Sequence, residues 1–340
     1  MVTGTCSVDW NAFDAISQTQ SKWFKSAMLE KVESMKFFVL LVHVLGANAL
    51  VWNDVKATFE KLTATPFGFL KYFQSDAVRL TTPQRDHNIT AASVNAFLPI
   101  SLIATCSMQQ LNKQACFCSK FTFVKRIYNQ AKDAVAVVAQ STDMVIVAFR
   151  QTASEKNNES DMDFALTPLP GVGGDVKVHK GFLEYYQSLQ AELEQLLPTL
   201  LANNTKLLHL TGYSLGGAVA LISLDSILRK LRLENKVQVY SYANPRVGNR
   251  AFANHIESLN VPVIRYTILN DLVSQLPPKN MGYIHTGIEY FSSKSTLTKC
   301  SLEFDEDPSC AHSGTSLTKD THTKPNQQPM PKPIFCVSQV

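Results

Sequence analysis

The chain has 340 residues, of which 45% are hydrophobic and 18% are charged, with 14 glycines. This composition permits a full hydrophobic core and argues against a disordered chain. The formal net charge of +4 is small, and no basic block or aromatic-interleaved patch concentrates it, so nucleic acid is not a predicted partner. We expect at most a weak attraction to anionic interfaces.

The first part of the chain divides into a polar leader and an apolar segment that is typical of a secretory signal peptide. The leader covers residues 1–34, and residues 35–49 combine Met35-Lys36, an apolar run and the small-x-small ending Ala47-Asn48-Ala49. The apolar run is short for a membrane span, so we predict a cleaved signal, a secreted, extracellular protein and no stable membrane span after signal removal. The leader would then be an over-extended start. An uncleaved anchor and a buried helix are the alternatives.

Residues 50–81 are interpreted as a pro-segment or arm, and residues 82–340 as the main domain. In that domain predicted strands alternate with predicted helices, which favours an α/β fold with a mostly parallel central sheet covered on both faces. The strands are predicted at 134–139, 145–150, 206–211, 237–243 and 263–269, and the helices at 181–201, 218–231 and 251–259. The helix predicted at 218–231 is apolar along one side, as core packing requires, so nothing in it indicates a cofactor.

A G-x-S-x-G pentapeptide stands between the predicted strand 206–211 and the predicted helix 218–231. In such a strand, sharp turn and helix, the serine takes strained backbone angles and its hydroxyl is exposed at the edge of the sheet. Both flanking positions need glycine, because a Cβ at either would collide with the neighbouring strand or the start of the helix. The pentapeptide alone often arises by chance, but this context favours a nucleophile over an ordinary turn. The residues are Gly212-Tyr213-Ser214-Leu215-Gly216.

A serine hydroxyl is a poor nucleophile at neutral pH, so Ser214 requires a histidine base and an acid that orients the imidazole. On this architecture the chain order is serine, acid, histidine. Asp271 is the candidate acid, because it follows the β-branched run 261–269 and such a loop faces the nucleophile. An aspartate at this position is equally common as a turn former or helix cap. The candidate bases are His285, His312 and His322.

Several motifs between about Arg85 and Cys336 resemble, in order and spacing, those of the secreted fungal class 3 lipases. Besides the pentapeptide, they are Phe149-Arg150-Gln151-Thr152, Lys177-Val178-His179-Lys180-Gly181-Phe182-Leu183, Asn244-Pro245-Arg246-Val247-Gly248, Asn270-Asp271 with Leu276-Pro277-Pro278, and Gly282-Tyr283-Ile284-His285-Thr286-Gly287-Ile288-Glu289-Tyr290. The resemblance implies an α/β-hydrolase fold with a lid segment. It also implies carboxylic ester hydrolysis by a catalytic triad, with no metal or organic cofactor.

The triad of that family, carried onto this chain, falls on Ser214, Asp271 and His322. His322 lies in the late segment Lys319-Asp320-Thr321-His322-Thr323, where the family has its catalytic histidine. His285 then falls on a motif that is structural in the family, which agrees with its position close to two tyrosines.

The oxyanion that forms in acyl transfer needs preorganised hydrogen-bond donors. The N–H of Leu215, the residue after the nucleophile, supplies one donor by the geometry of the turn. The resemblance places the second donor at Thr152, which would otherwise be an ordinary polar loop residue. The chain differs from the family at two positions in these motifs. Tyr213, before the serine, stands where the family usually has His, and Gln151, after Arg150, stands where it usually has Gly.

Of the seven cysteines, Cys6 lies before the predicted cleavage, and the remaining even set suits a disulfide-bonded secreted protein. The resemblance implies the pairs Cys106–Cys336, Cys116–Cys118 and Cys300–Cys310. N-glycosylation sequons begin at Asn88, Asn158 and Asn203 and fit the same route.

The substrate class depends on the segment between Ala153 and Asp175, which is a lid in the family. A lipase lid is an amphipathic helix with large apolar residues, whereas residues 154–161 here are polar and carry a sequon. That polarity is closer to the related fungal feruloyl esterases, while the segment 177–182 is closer to the lipases. We predict a triacylglycerol lipase-like monomer that meets a lipid or ester substrate at an interface. The alternatives are a feruloyl-type esterase acting on more soluble esters and a non-catalytic relative that binds lipid.

Overall fold

The computed structural model describes residues 77–113, 121–154, 157, 161, 163–202, 205–231, 236–294, 296–314, 317–318 and 320–323. The predictions for the leader, for the signal-like segment and for residues 50–76 of the arm lie outside these residues. In the part of the chain that is described, no helix combines the length and the apolar character that crossing a bilayer requires.

The described strands are β1 (Thr122–Asn129), β2 (Ala134–Gln140), β3 (Met144–Phe149), β4 (Leu166–Pro168), β5 (Lys177–His179), β6 (Leu207–Tyr213), β7 (Val237–Tyr242), β8 (Val263–Ile268), β9 (Ile288–Ser293) and β10 (Thr296–Lys299). Eight of them form one sheet in the order β1-β2-β3-β6-β7-β8-β9-β10. β1, β2 and β3 are antiparallel, the run from β3 through β6, β7 and β8 to β9 is parallel, and β10 returns antiparallel. β4 and β5 pair as a separate small hairpin.

The described helices are α1 (Ala91–Phe97), α2 (Met108–Asn112), α3 (Lys180–Leu201), α4 (Leu215–Leu231) and α5 (Arg250–Ser258), with 3-10 turns at Pro99–Thr105, Val273–Gln275, Lys279–Met281, Ala311–Ser313 and Asp320–Thr323. Local chemistry fixes where α5 begins, because the side chain of Asn249 accepts a hydrogen bond from the N–H of Phe252 and satisfies a donor that the first turn leaves unpaired. α4 begins three residues earlier than the sequence predicts, directly after Ser214.

Both faces of the sheet are covered. Along β2, the residues Ala134, Ala136 and Val138 pack with α3, α4 and α5, while the intervening residues pack with the turn Pro99–Thr105 and with α2. A strand whose alternate side chains enter two separate cores is typical of the middle of a sheet with helices on both sides. The predicted α/β-hydrolase architecture is confirmed.

The disulfide between Cys300 and Cys310 is confirmed and closes the loop that follows β10. Cys106 is also disulfide-bonded. Its predicted partner, Cys336, and the predicted pair Cys116–Cys118 lie outside the described residues.

Candidate active site

Ser214 lies on a sharp turn between β6 and α4. Its φ of 55° is in the left-handed region, which a non-glycine residue rarely adopts. The turn is closely packed: a Cβ on Gly212 would lie 2.2 Å from the backbone carbon of Gly216, and a Cβ on Gly216 would lie 2.1 Å from the carbonyl oxygen of Phe149. The predicted reason for the two flanking glycines is therefore correct. The N–H of Ser214 donates to the carbonyl of Tyr242 at 2.8 Å, which fixes the turn on the neighbouring strand β7.

The structure brings Ser214, His322 and Asp271 together. His322 Nε2 lies 2.9 Å from Ser214 Oγ, and His322 Nδ1 lies 2.9 Å from Asp271 Oδ2. Asp271 is 1% exposed and the side chain of His322 is 13% exposed. The carboxylate is therefore shielded from solvent, whereas part of the imidazole is accessible. In this line of hydrogen bonds, Nε2 of the imidazole can accept the serine proton while Nδ1–H donates to the carboxylate.

Asp271 follows β8, and its carboxylate is surrounded by donors. The N–H of Val273 donates to Oδ1 at 2.9 Å, and the hydroxyl of Ser274 donates to Oδ2 at 2.9 Å. Because β6 and β8 run in the same direction, their carboxyl ends meet at one edge of the sheet, and this is why Asp271 faces Ser214. Ser274 was not predicted from the sequence, since a serine three residues after an aspartate has no distinctive signal.

His322 lies on the 3-10 turn Asp320–Thr323, which is tied to the loop that carries the acid. Thr318 N–H donates to the carbonyl of Asn270 at 2.9 Å, and its own carbonyl accepts from Leu272 N–H at 3.2 Å. The hydroxyl of Thr321 donates to the same Asn270 carbonyl at 2.8 Å. A second tie leads to β6, the strand that precedes Ser214, because the hydroxyl of Tyr213 donates to the carbonyl of His322.

The two other candidate bases contact different residues. His285 is buried, and its Nε2 lies 2.8 Å from the carbonyl of Ser274, behind the acid loop. Burial, helped by the nearby Arg265, lowers the pKa of His285 well below the usual value for histidine. His312 lies on the turn Ala311–Ser313, and burial lowers its pKa as well. Of the three candidate histidines, His322 is the one that forms a hydrogen bond with Ser214.

The two predicted oxyanion donors flank the turn. Leu215 is the first residue of α4, where an N–H has no partner within the helix and where the helix dipole favours negative charge. Thr152 lies in the loop after β3, two residues beyond Arg150, and a Cβ on Gly216 would meet the backbone of Phe149 and Arg150. The hydroxyl of Thr152 donates to Asp161 Oδ2 at 2.6 Å, which ties this loop to the lid segment.

The predicted lid segment is described only in part. Asn157 is fully buried, and its side chain accepts from Ala153 N–H at 3.1 Å and donates to the carbonyl of Lys132 at 3.1 Å. Further along, Tyr283 donates to the carbonyl of Phe164 at 3.0 Å. The sequons at Asn158 and Asn203 lie outside the described residues, and Asn88 is exposed.

A buried ion pair supports the acid loop from behind. Arg246 donates two hydrogen bonds to Glu306, from Nε to Oε1 and from Nη2 to Oε2, each at 2.7 Å. Arg246 Nη1 also donates to the carbonyl of Pro277 at 3.0 Å. Burial alone would raise the pKa of Glu306, but the charge and hydrogen bonds of Arg246 hold it well below its usual range. The motif with Arg246 was recognised in the sequence, but its partner 60 residues later carries no local signal.

Among the described residues, one group lies close enough together to hold a metal ion: Cys300, Asp307 and Cys310. The two sulfur atoms are bonded to each other, and Asp307 accepts hydrogen bonds from Ser301 N–H and from Ser309. This group therefore has a structural explanation.

Comparisons with known proteins agree with this fold. Residues 146–281 match the model of the lipase (class 3) family. A lipase of Rhizomucor miehei is 35% identical over 189 residues, which are 53% of this chain and 52% of the relative. A secreted mono- and diacylglycerol lipase of Fusarium solani is 34% identical over 156 residues, 46% of each chain. The chain thus spans about half the length of the curated relatives it matches.

Solved structures give the same result over a larger share of the fold. Lipase II of Rhizopus niveus has a TM-score of 0.63 with 26% identity and covers 71% of this chain and 97% of its own. A structure titled as a triacylglycerol lipase with a serine protease triad has a TM-score of 0.64 with 27% identity and covers 71% of this chain and 97% of its own. The fold is that of the α/β-hydrolases. The chain carries a segment that matches the class 3 lipases, so the resemblance to the fungal members of that family is confirmed.

Proposed function

We propose that this protein is a secreted carboxylic ester hydrolase that acts on acylglycerols through an acyl-enzyme. The observation that carries the proposal is the continuous line of hydrogen bonds from Ser214 Oγ through His322 to the buried Asp271. A buried carboxylate next to an imidazole stabilises the imidazolium that forms when the serine loses its proton.

In the proposed mechanism, Ser214 Oγ attacks the ester carbonyl while His322 Nε2 takes its proton. The tetrahedral oxyanion accepts hydrogen bonds from the N–H groups of Leu215 and Thr152, each worth about 3 kcal/mol of barrier. His322 then protonates the leaving alcohol. Water attacks the acyl-enzyme with His322 again as the base, and release of the fatty acid restores Ser214. Apart from the substrate and water, each step uses only side chains and backbone groups of this chain.

Acylglycerols are the proposed substrates because the relatives are named as lipases, among them one named for mono- and diacylglycerols. The second candidate, a feruloyl-type esterase, is favoured by the polar lid, in which Asn157 is buried and Asp161 bonds to Thr152. Turnover of tributyrin emulsions and of methyl ferulate, measured under matched conditions, separates the two. We expect faster tributyrin turnover, and faster feruloyl ester turnover without interfacial activation would favour the second candidate.

Secretion is supported by the disulfide Cys300–Cys310 and by the bonded Cys106, since disulfides persist in oxidising compartments. A relative named as secreted points the same way. The monomeric state stays a prediction, which light scattering on a sizing column measures.

Replacement of the nucleophile tests the proposed function. We expect Ser214→Ala to lower kcat on p-nitrophenyl butyrate by more than about 1,000-fold, because attack requires the oxygen. Ser241→Ala is a matched control: Ser241 is also buried, on the adjacent strand β7, and its hydroxyl donates to the carbonyl of Ile264. Full activity of a folded Ser214→Ala protein would rule out Ser214 as the nucleophile.

A further inference from the structure

The base of the proposed triad lies on a short turn, far along the chain from the nucleophile, so its position depends on tertiary contacts. His322 and Ser214 are 108 residues apart. The ties from Thr318 and Thr321 lead to Asn270, so they fix the turn relative to the acid loop. Contacts of this kind control the distance from imidazole to carboxylate. None of these contacts reaches Ser214 or the strand that precedes it.

Tyr213 supplies a tie between His322 and the residue directly before the nucleophile. It directly precedes Ser214, is completely buried, and its hydroxyl donates to the main-chain carbonyl of His322. The ring centroids of Tyr213 and His322 are 5.3 Å apart, so the phenol also lies beside the imidazole that it anchors. The sequence had shown only that Tyr213 replaces the usual histidine of the family.

The backbone of Tyr213 provides a fixed base for that contact. Tyr213 is the last residue of β6 and pairs with Tyr242 of β7, whose carbonyl in turn accepts from the N–H of Ser214. A tyrosine has two side-chain torsions, and close packing leaves them little freedom. Burial, with a smaller contribution from the charge of Asp271, raises the pKa of Tyr213 well above its ordinary value, so the phenol remains a donor at any working pH.

We propose that Tyr213 is a positioning residue for the general base: its hydroxyl holds the main chain of His322 so that Nε2 stays within hydrogen-bond distance of Ser214 Oγ. This proposal rests on the proposed function. Tyr213 acts through His322 and is buried beneath the turn, so its removal changes the rate of the chemical steps and leaves substrate binding unchanged.

The test compares Tyr213→Phe with Tyr242→Phe. Tyr242 is the strand partner of Tyr213, is equally buried, and its hydroxyl donates to the carbonyl of Val94 at 2.7 Å, away from the triad. Both changes delete one buried hydroxyl and leave one carbonyl without its donor. A purely structural role would therefore give both variants the same loss of thermal stability and the same kinetics.

We expect Tyr213→Phe to lower kcat on p-nitrophenyl butyrate about 10-fold with KM changed less than about 2-fold, since small displacements of a reacting group carry large rate losses. The rate of covalent labelling by a fluorophosphonate is expected to fall by the same factor. Tyr242→Phe is expected to retain kcat within about 2-fold of the wild type, because its hydroxyl has no contact with the triad. An unchanged kcat in Tyr213→Phe, an equal loss in Tyr242→Phe, or a change confined to KM would overturn the proposal.

A second variant covers the case in which Tyr213→Phe does not fold. The amino acid p-aminophenylalanine, introduced at position 213, keeps a ring of the same length and an N–H donor at its end. We expect it to restore kcat to within about 3-fold of the wild type, since the donor to the His322 carbonyl is kept; a folded protein that remains slow would contradict the role of the donor. If the wild type neither hydrolyses the ester nor takes the label, the proposed function itself fails, whereas an active wild type matched by Tyr213→Phe refutes only the positioning role.

Discussion

At the residue scale, the site combines side chains that the sequence identifies with side chains that it cannot. Ser214 follows from the glycines on both sides of it, and Asp271 from its place after a strand. His322 needed the resemblance to the class 3 lipases, because three histidines follow the acid. The hydroxyls of Tyr213 and Ser274 were not predicted, since each acts on a partner through a contact that only the folded chain creates.

His209 illustrates a buried residue whose ionisation affects the stability of the whole domain. It lies on β6, stacked against the rings of Phe97 and Tyr240, and its Nδ1 contacts Gln238 Nε2 at 3.0 Å. Burial lowers the pKa of His209 to about 3. The unfolded chain binds a proton at this position below about pH 6.5, while the folded protein does so only near pH 3. The stability that depends on this group is therefore complete above about pH 6.5 and falls as the pH is lowered toward 3.

We predict that His209→Gln reduces this acid sensitivity, because glutamine does not titrate and can still accept a hydrogen bond from Gln238. The wild-type loss from this group reaches on the order of 4 kcal/mol at about pH 3. The free energy of unfolding is measured by urea denaturation from about pH 7 to about pH 4. Its decrease with falling pH should be less steep in the variant, by a slope that corresponds to at most about one proton bound on unfolding. Parallel curves for the two proteins would show that His209 is not buried in its neutral form.

At the element scale, the turn between β6 and α4 is the feature on which the position of Ser214 depends. Gly216 lies inside the first turn of α4 and against the carbonyl of Phe149 at the end of β3, so this helix start and the loop with Thr152 are packed together. Any side chain at Gly216 pushes these two elements apart.

We predict that Gly216→Ala lowers the free energy of unfolding by about 2 kcal/mol or more, because overpacking against backbone cannot be relieved by a side-chain rotation. It should also lower kcat, since Leu215 and Thr152 would separate. Gly173→Ala is the matched control, because a Cβ there has no atom within 4 Å. Thermal denaturation and ester hydrolysis provide the two measurements. If Gly216→Ala behaves like Gly173→Ala, the close approach of α4 to β3 is wrong.

The central strands and helices were predictable, and the edges of the sheet were not. β2, β3, β6, β7 and β8 are rich in apolar and β-branched residues and are buried on both faces of the sheet, so their sequences indicate strands. β1 and β10 are mostly exposed or half-exposed strands at the two edges, with lysines in both, and their patterns resemble those of loops. β9 was recognised only as a motif. The hairpin of β4 and β5 has three residues in each strand, too few for any periodicity.

At the scale of the whole molecule, the site is assembled from three segments that the chain order separates. Ser214 and Asp271 follow β6 and β8, two parallel strands of one sheet, and their proximity follows from the topology. His322 is carried by a turn beyond the sheet, held by the acid loop and by Tyr213. The buried ion pair of Arg246 and Glu306 also contacts the chain after Asp271, through the hydrogen bond from Arg246 to the carbonyl of Pro277. Such contacts between distant positions have no trace in local sequence patterns.

The most direct measurement of the central claim is covalent labelling with a fluorophosphonate, followed by mass mapping of the modified peptide. We predict one label per wild-type molecule, attached to Ser214, and labelling at least about 1,000-fold slower in folded His322→Ala, because the serine then has no base. His285→Gln serves as the comparison, since His285 contacts Ser274 and not Ser214, and it should still be labelled at Ser214. Labelling at another residue, no labelling of the folded wild type, or an unchanged rate in His322→Ala would contradict the proposed triad.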